Sequence, residues 1–220
     1  MILCVYALAP RGAGTRLSTP GLSGERLRAV GDGPVIAVAG ELARAPRPSS
    51  ENLRKYDAAI RSLAARLPAL LPARYGTCFD SVDELTFVLR ARERTMRTAL
   101  AHVRNRVQMT VRVVGPAAAS AKATAPGGSS RPTGAEYLRG LAADAARARE
   151  IPGFDPVRAV VRRWVRDERV EKKSGVASVY HLVPRGSADA YRRAVERAAA
   201  AADLRVVVSG PWPPYAFAEL

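Results

Sequence analysis

Leu70-Leu71-Pro72-Ala73-Arg74-Tyr75-Gly76-Thr77-Cys78-Phe79 is an apolar run broken by two turn-forming residues and carrying a single arginine. Its flanks decide what it is. On the N-terminal side Leu53, Tyr56, Ile60, Leu63 and Leu67 recur at alternating steps of three and four, the period of a helix with one apolar stripe. Ser49 or Ser50 caps that helix, with Glu51 in its first turn. Pro68 must end it, because proline lacks the N–H of the helical ladder and clashes with the preceding turn. On the C-terminal side Ser81 and Glu84 have capping-box spacing. Val82, Leu85, Leu89, Met96, Leu100 and Val103 then trace a second stripe along one helix. The run itself is therefore expected to be a central strand, covered on one face by both helices.

Working outward, Ile2-Leu3-Cys4-Val5-Tyr6-Ala7-Leu8 is a β-prone run stopped by Pro10. Leu27–Val30 and Val35–Ala39, joined by Gly31-Asp32-Gly33-Pro34, read as a hairpin. A strand follows this Gly-Asp-Gly where a dinucleotide fingerprint would need a helix, so it is a turn and not a phosphate loop. Val107, Met109, Val111 and Val113 alternate with Gln108, Thr110 and Arg112, the period of a strand buried on one side. This order describes an α+β unit of residues 1–115, a modified ferredoxin-like arrangement with one strand added early. Residues 116–132, rich in Ala, Ser, Gly and Pro, read as a flexible linker or loop.

Residues 133–220 form a smaller α+β domain in this reading. Thr133 and Glu136 open a helix through Tyr137, Leu138, Leu141 and Ala145. Asp155 as cap and Pro156 at the first helical position start another, carrying Val157, Val160, Val161, Trp164 and Val165, with Trp164 expected in the core. Arg169–Lys173 and Val176–Val183 form a strand pair about Ser174-Gly175. A helix capped by Ser187 turns Tyr191, Val195 and Ala198 inward, and Leu204–Val208 is the last strand.

The formal charge of +15 is spread along the chain, +9 in residues 1–115 and +6 in 116–220, and only four of the 35 basic residues are lysines. Arg54, Lys55, Arg61 and Arg66 on the first helix, and Arg90, Arg92, Arg94 and Arg97 on the second, read as solvated faces. A basic surface favours anionic partners at low salt, so a nucleic-acid-binding protein using these faces is the alternative function. Interleaved aromatics and a recognisable nucleic-acid motif are missing from those helices, which disfavours it.

No apolar stretch reaches the roughly 20 residues of a membrane span, and Met1-Ile2-Leu3-Cys4 lacks a basic n-region, so a cytoplasmic protein off the membrane is expected. Cys4 and Cys78 lack metal-ligand spacing and are expected as buried free thiols. His102 and His181 are expected in structural or surface roles. No nucleophile motif, carboxylate pair or ligand cluster is recognisable, so neither an enzyme, nor a cofactor, nor a metal, nor a small-molecule substrate is expected.

Leu71-Pro72-Ala73-Arg74-Tyr75-Gly76-Thr77, Gly134-Ala135-Glu136-Tyr137-Leu138, Tyr180-His181-Leu182-Val183 and Gly210-Pro211-Trp212-Pro213-Pro214-Tyr215-Ala216-Phe217 together resemble the gas vesicle protein GvpL/GvpF family. The likeness spans nearly the whole chain. Tyr75 stands where the family usually has Phe, and Gln108 where an acidic residue is common. The resemblance implies a two-domain α+β accessory protein, with a modified ferredoxin-like N-terminal domain. It implies a part in assembling the gas-filled shell through contacts with the major shell protein or other accessory proteins.

Arg74, Tyr75, Trp212, Pro213, Pro214 and Tyr215 are the candidate partner-binding residues. Arg74 presents a cation to a partner at a strand end, or satisfies carbonyls or a carboxylate between sheet and helix. The prolines preset an extended backbone that holds Trp212 and Tyr215 against a partner, or locks the segment onto the protein's own sheet.

Overall fold

Ile2–Pro10 (β1) carries no charged residue, and in the computed structural model, which describes residues 1–12, 17, 19–114, 150–173 and 175–218, it is buried along its length. β1 pairs antiparallel with Val35–Leu42 (β3), which hairpins to Arg28–Val30 (β2). Its other edge pairs with Leu71–Pro72 (β4) and Cys78–Phe79 (β5), giving the order β2-β3-β1-β4 with β5 also on β1. The β1–β3 register shifts at Tyr6, between Val5↔Ala39 and Ala7↔Val38. Cys4 and Tyr6 pack with Tyr56, Ala59, Ile60 and Leu63 of α1 (Ser50–Arg66). Val5 and Leu8 instead face Leu85, Leu89 and Met96 of the two helices that follow. Helices thus cover both faces of the sheet and not one. The unbroken apolar run of β1 is the reason, since only a strand buried on both sides dispenses with polar alternation.

α1 begins where its cap dictates: the Ser49 hydroxyl accepts from the Asn52 N–H at 3.1 Å, and the helix stops before Leu67-Pro68. Leu53, placed on the apolar stripe by period, stays 46% exposed. The second helical stretch is two helices, α2 (Val82–Ala91) and α3 (Glu93–Val103), broken at Arg92. The Ser81 hydroxyl accepts from the Glu84 N–H at 3.1 Å, while the Glu84 carboxylate reaches the Asp80 N–H at 2.9 Å, one residue beyond the capping-box partner. Ser81→Ala is expected to lower stability by about 1 kcal/mol, read as a shift of the urea midpoint at unchanged slope.

The decapeptide is not one continuous strand. Leu71 and Pro72 pair with Leu8 and Ala7, and pairing resumes only at Cys78 and Phe79, opposite Cys4 and Leu3. The Ala73 N–H still donates to the Tyr6 carbonyl at 2.9 Å, and the Thr77 carbonyl accepts from the Val5 N–H at 2.8 Å. Only residues 74–76 therefore leave the sheet, in a turn closed by the Thr77 N–H on the Arg74 carbonyl at 3.1 Å, with Gly76 at φ +82° in its third position. That φ is open to glycine and strained for any side chain. The paired Cys4 and Cys78 form a disulfide, which corrects the expectation of free thiols. Residues 74 positions apart meet here through strand pairing, which their local context does not record.

Close packing divides the chain into two units, Met1–Gln108 with Pro211–Leu220, and Met109–Gly210. The segment after Gly210, read as part of a second domain, groups with the first unit. The second unit's sheet has the order β7-β8-β6-β9, built from Arg106–Val114 (β6), Asp167–Lys173 (β7), Val176–Pro184 (β8) and Val206–Trp212 (β9). β6, expected to close the first sheet, pairs instead in this one. The expected strand pair is the β7–β8 hairpin, in which Lys173 lies opposite Val176. Helices α4 (Asp155–Val161) and α5 (Ala188–Ala201) bury Val157, Val161, Tyr191, Val195 and Ala198. Trp164 lies past the end of α4, half-buried, with the Arg163 guanidinium 4.0 Å from its ring centroid, and not in the core. The fold is α+β. The expected linker 116–132, the helix from Thr133 and the Gly134–Leu138 motif lie outside the described residues.

Candidate functional site

The turn between Ala73 and Thr77 interrupts the ladder along β1 and leaves backbone groups that must find other partners. Tyr56 of α1 supplies one: its hydroxyl lies 3.0 Å from the Ala73 carbonyl and 3.1 Å from that of Val5, and shares its hydrogen between them. Its ring stacks on Tyr6 at 4.9 Å and meets Tyr75 edge-on at 5.2 Å. The Tyr6 hydroxyl accepts from the Leu22 N–H at 2.8 Å and donates to Glu25, and Tyr75 donates to the Arg47 carbonyl at 2.9 Å. Burial pushes the Tyr6 and Tyr56 phenols well above their ordinary range, so both stay neutral. The Tyr75 hydroxyl ties the turn to the segment before α1.

One residue on from Tyr56, Asp57 faces the Trp212–Phe217 segment. The Tyr215 hydroxyl donates to Asp57, and Arg61 Nε donates to the same carboxylate at 2.6 Å. The Arg61 guanidinium also lies 4.2 Å from the Trp212 ring centroid. Pro213, Pro214 and Phe217 are buried, and the Ala216 N–H donates to the Gln108 side chain at 2.8 Å. Gln108 accepts this bond through its amide oxygen. The segment is seated on its own unit. Tyr215–Phe217 forms a 3₁₀ turn beside β4.

Between β1, β4, the 73–77 turn, α2 and α3 runs a groove of about 590 Å³, with Tyr215 and Ala218 on its border. Its floor is Leu8, Leu71, Leu85, Leu89 and Met96, each 8% exposed or less, with Val88 partly exposed beside them, and among the described residues its charged groups are Arg74 and Arg92. Both arginines are exposed, and neither guanidinium has a carboxylate or carbonyl partner among the described residues. Of the six candidate residues, Arg74 and Tyr215 border this groove, while Tyr75, Trp212, Pro213 and Pro214 serve the packing around it. Arg92 was hidden from sequence reasoning, because a continuous helix would have turned it to solvent with Arg90 and Arg94. Nothing in Ala91-Arg92-Glu93, which lacks Gly and Pro, signals the break.

A second polar cluster lies in the other unit. Glu168 of β7 accepts from His181 Nε2 at 2.7 Å and from Arg158 of α4 at 3.2 Å. His181 Nδ1 meets the Tyr191 hydroxyl at 2.5 Å. Burial of Glu168 acts to raise its pKa, but the hydrogen bonds and charges of His181 and Arg158 outweigh it and bring the carboxyl down to about 2. Burial raises the Tyr191 phenol. His181 is 1% exposed and Tyr191 is fully buried, while Glu168 and Arg158 keep part of their side chains in solvent, and the four groups tie β7, β8, α4 and α5 together. Among the described residues no group of three or more His, Cys, Asp or Glu is placed to hold a metal ion, and no helix is long and apolar enough to cross a membrane.

Residues 3–219 match a family model described as gas vesicle synthesis protein GvpL/GvpF. No curated protein matches. The chain is similar in structure to the gas vesicle protein GvpF from Anabaena sp. PCC7120, with a TM-score of 0.75 at 16% identity, covering 100% of this chain and 96% of that one. GvpF from Microcystis aeruginosa is similar with a TM-score of 0.73 at 14% identity, covering 100% and 99%.

Proposed function

Because this chain belongs to the GvpL/GvpF family of gas vesicle synthesis proteins, we propose that it is a non-enzymatic accessory protein that assists assembly of the gas-filled shell by binding the major shell protein or other accessory proteins. The observation that carries this reading is the open groove of the first unit, floored by aliphatic side chains. An apolar side chain of another protein that enters a groove with an aliphatic floor leaves water for an apolar surrounding, which favours its binding. Shell subunits that bury such surface only on assembly are exposed to aggregation beforehand, and a protein that covers them holds them competent. On this reading the protein acts in the cytoplasm and at the gas vesicle, and needs no cofactor.

Capture of the co-expressed major shell protein by the tagged full chain tests it, at low and high salt with duplex DNA as competitor. Capture is expected to survive both, as an apolar contact does. Displacement by DNA together with loss of all binding in salt would replace this reading with a nucleic-acid-binding one, in which the +15 charge does the work.

A further inference from the structure

We infer that the groove of the first unit selects an apolar polypeptide segment that carries carboxylates, with Arg74 and Arg92 as the groups that recognise the acid. This rests on the protein-binding reading above and adds the chemistry of the bound segment. The argument is one of complementarity. Among the described residues the groove's charged groups are two guanidiniums and no carboxylate, set beside the partly exposed Val88 over a floor that includes Leu8, Leu71 and Met96. Arg28, Arg61, Arg90 and Arg158 of the same chain are each paired with an acidic side chain, whereas Arg74 and Arg92, like Arg26 and Arg94 outside the groove, are without one among the described residues; Arg74 and Arg92 are the two that stand over the apolar floor. An arginine beside an apolar floor forms a stronger charge-assisted pair than one in open water, because the floor excludes competing solvent. The occupant therefore needs aliphatic side chains for the floor and acidic ones for the border, the pattern of an amphipathic segment with Glu or Asp at its polar edge. Two separate guanidiniums match two carboxylates along a chain better than a single anionic head group.

The probes are three labelled amphipathic peptides of about four helical turns, with the same Leu face and with Glu, Gln or Lys at the border positions. Binding to the full chain is read by fluorescence anisotropy. The Glu peptide is expected to bind about tenfold or more tighter than the Gln peptide at low salt, with the ratio shrinking as salt rises. In Arg74→Gln/Arg92→Gln the ratio falls to near one, and in Arg74→Glu/Arg92→Glu the Lys peptide becomes the preferred one. Arg54→Glu, which changes the net charge as much as Arg74→Gln/Arg92→Gln but on the exposed face of α1, leaves the discrimination in place. Equal binding of Glu and Gln peptides by the wild type, or undiminished preference in the double variants, overturns the inference. So does displacement of the Glu peptide by single-stranded DNA with the ratio already at one. Both arginines are exposed, and far-UV circular dichroism verifies that the variants keep the fold. The shell protein separates the two readings. Capture by the wild type and by the charge-reversed variant alike overturns the groove assignment and leaves the assembly role standing. Peptide discrimination without any capture of shell protein supports the groove assignment and removes the assembly role.

Discussion

Tyr56→Ala is expected to lower the stability of the first unit by about 3–5 kcal/mol, whereas Tyr56→Phe lowers it by about 1–2 kcal/mol. The two numbers separate two jobs. The ring fills the space between Tyr6 and Tyr75, and removing it leaves a cavity under the sheet at the point where β4 and β5 are discontinuous. The hydroxyl serves the Ala73 and Val5 carbonyls, which phenylalanine leaves without that donor. Urea denaturation of the full chain, followed by tyrosine fluorescence and by circular dichroism, gives both values. Equal losses for the two variants would show that the hydrogen bond, and not the ring, holds the interruption. The groove would respond as well, since Arg74 is carried on that turn, and the Glu-peptide affinity should fall in Tyr56→Ala before the protein unfolds.

Glu168→Ala should cost about 3 kcal/mol in the second unit, because it leaves the buried His181 N–H without its acceptor and takes one carboxylate from Arg158, which keeps Asp155. Tyr191→Phe, which removes one hydroxyl and keeps the ring, should cost about 1–2 kcal/mol. The same cluster sets an acid limit. Glu168 has a folded pKa of about 2 against an ordinary 4.5, so the folded state resists protonating it. Its contribution, about 3 kcal/mol, is whole above pH 4.5, erodes as the pH falls below that, and is gone by about pH 2. Urea midpoints measured from pH 6 down to pH 2 should trace this loss in the wild type. The trace should be flatter in Glu168→Ala across that window, and an unchanged slope would mean that other carboxylates control acid unfolding.

Much of the architecture was readable where the cause is local. Ser49 and Ser81 mark helix starts because a hydroxyl there meets an N–H three residues on. Gly31–Pro34 marks the hairpin, and Gly31, at φ +122°, could not carry a Cβ without crowding Leu89 and the Val35 carbonyl. The candidate groove was half readable. Arg74 and Tyr215 stood out as unusual residues in turn-rich segments, and both border it. Its apolar lining did not stand out, because Leu85, Val88 and Met96 look like any core stripe until the sheet face they cover is known. The same holds for the Cys4–Cys78 bond, for β6 joining the second sheet, and for helices on both sides of β1. Each depends on pairing between distant residues, which period and capping do not encode.

The seating of the Trp212–Phe217 segment on the first unit has a consequence for synthesis on the ribosome. The sheet, α1 and Gln108 are all made early, yet Tyr215 and Ala216, which bond to Asp57 and Gln108, are made after the whole of Met109–Gly210. At about 5–20 residues per second, the roughly 100 intervening residues take about 5–20 s. During that interval the first unit exists without its last piece, with β4 and the hydrophobic ground beneath Phe217 uncovered. The nascent chain passes through a stage at which it is itself a client for protection, and translation rate over the second unit sets how long that stage lasts.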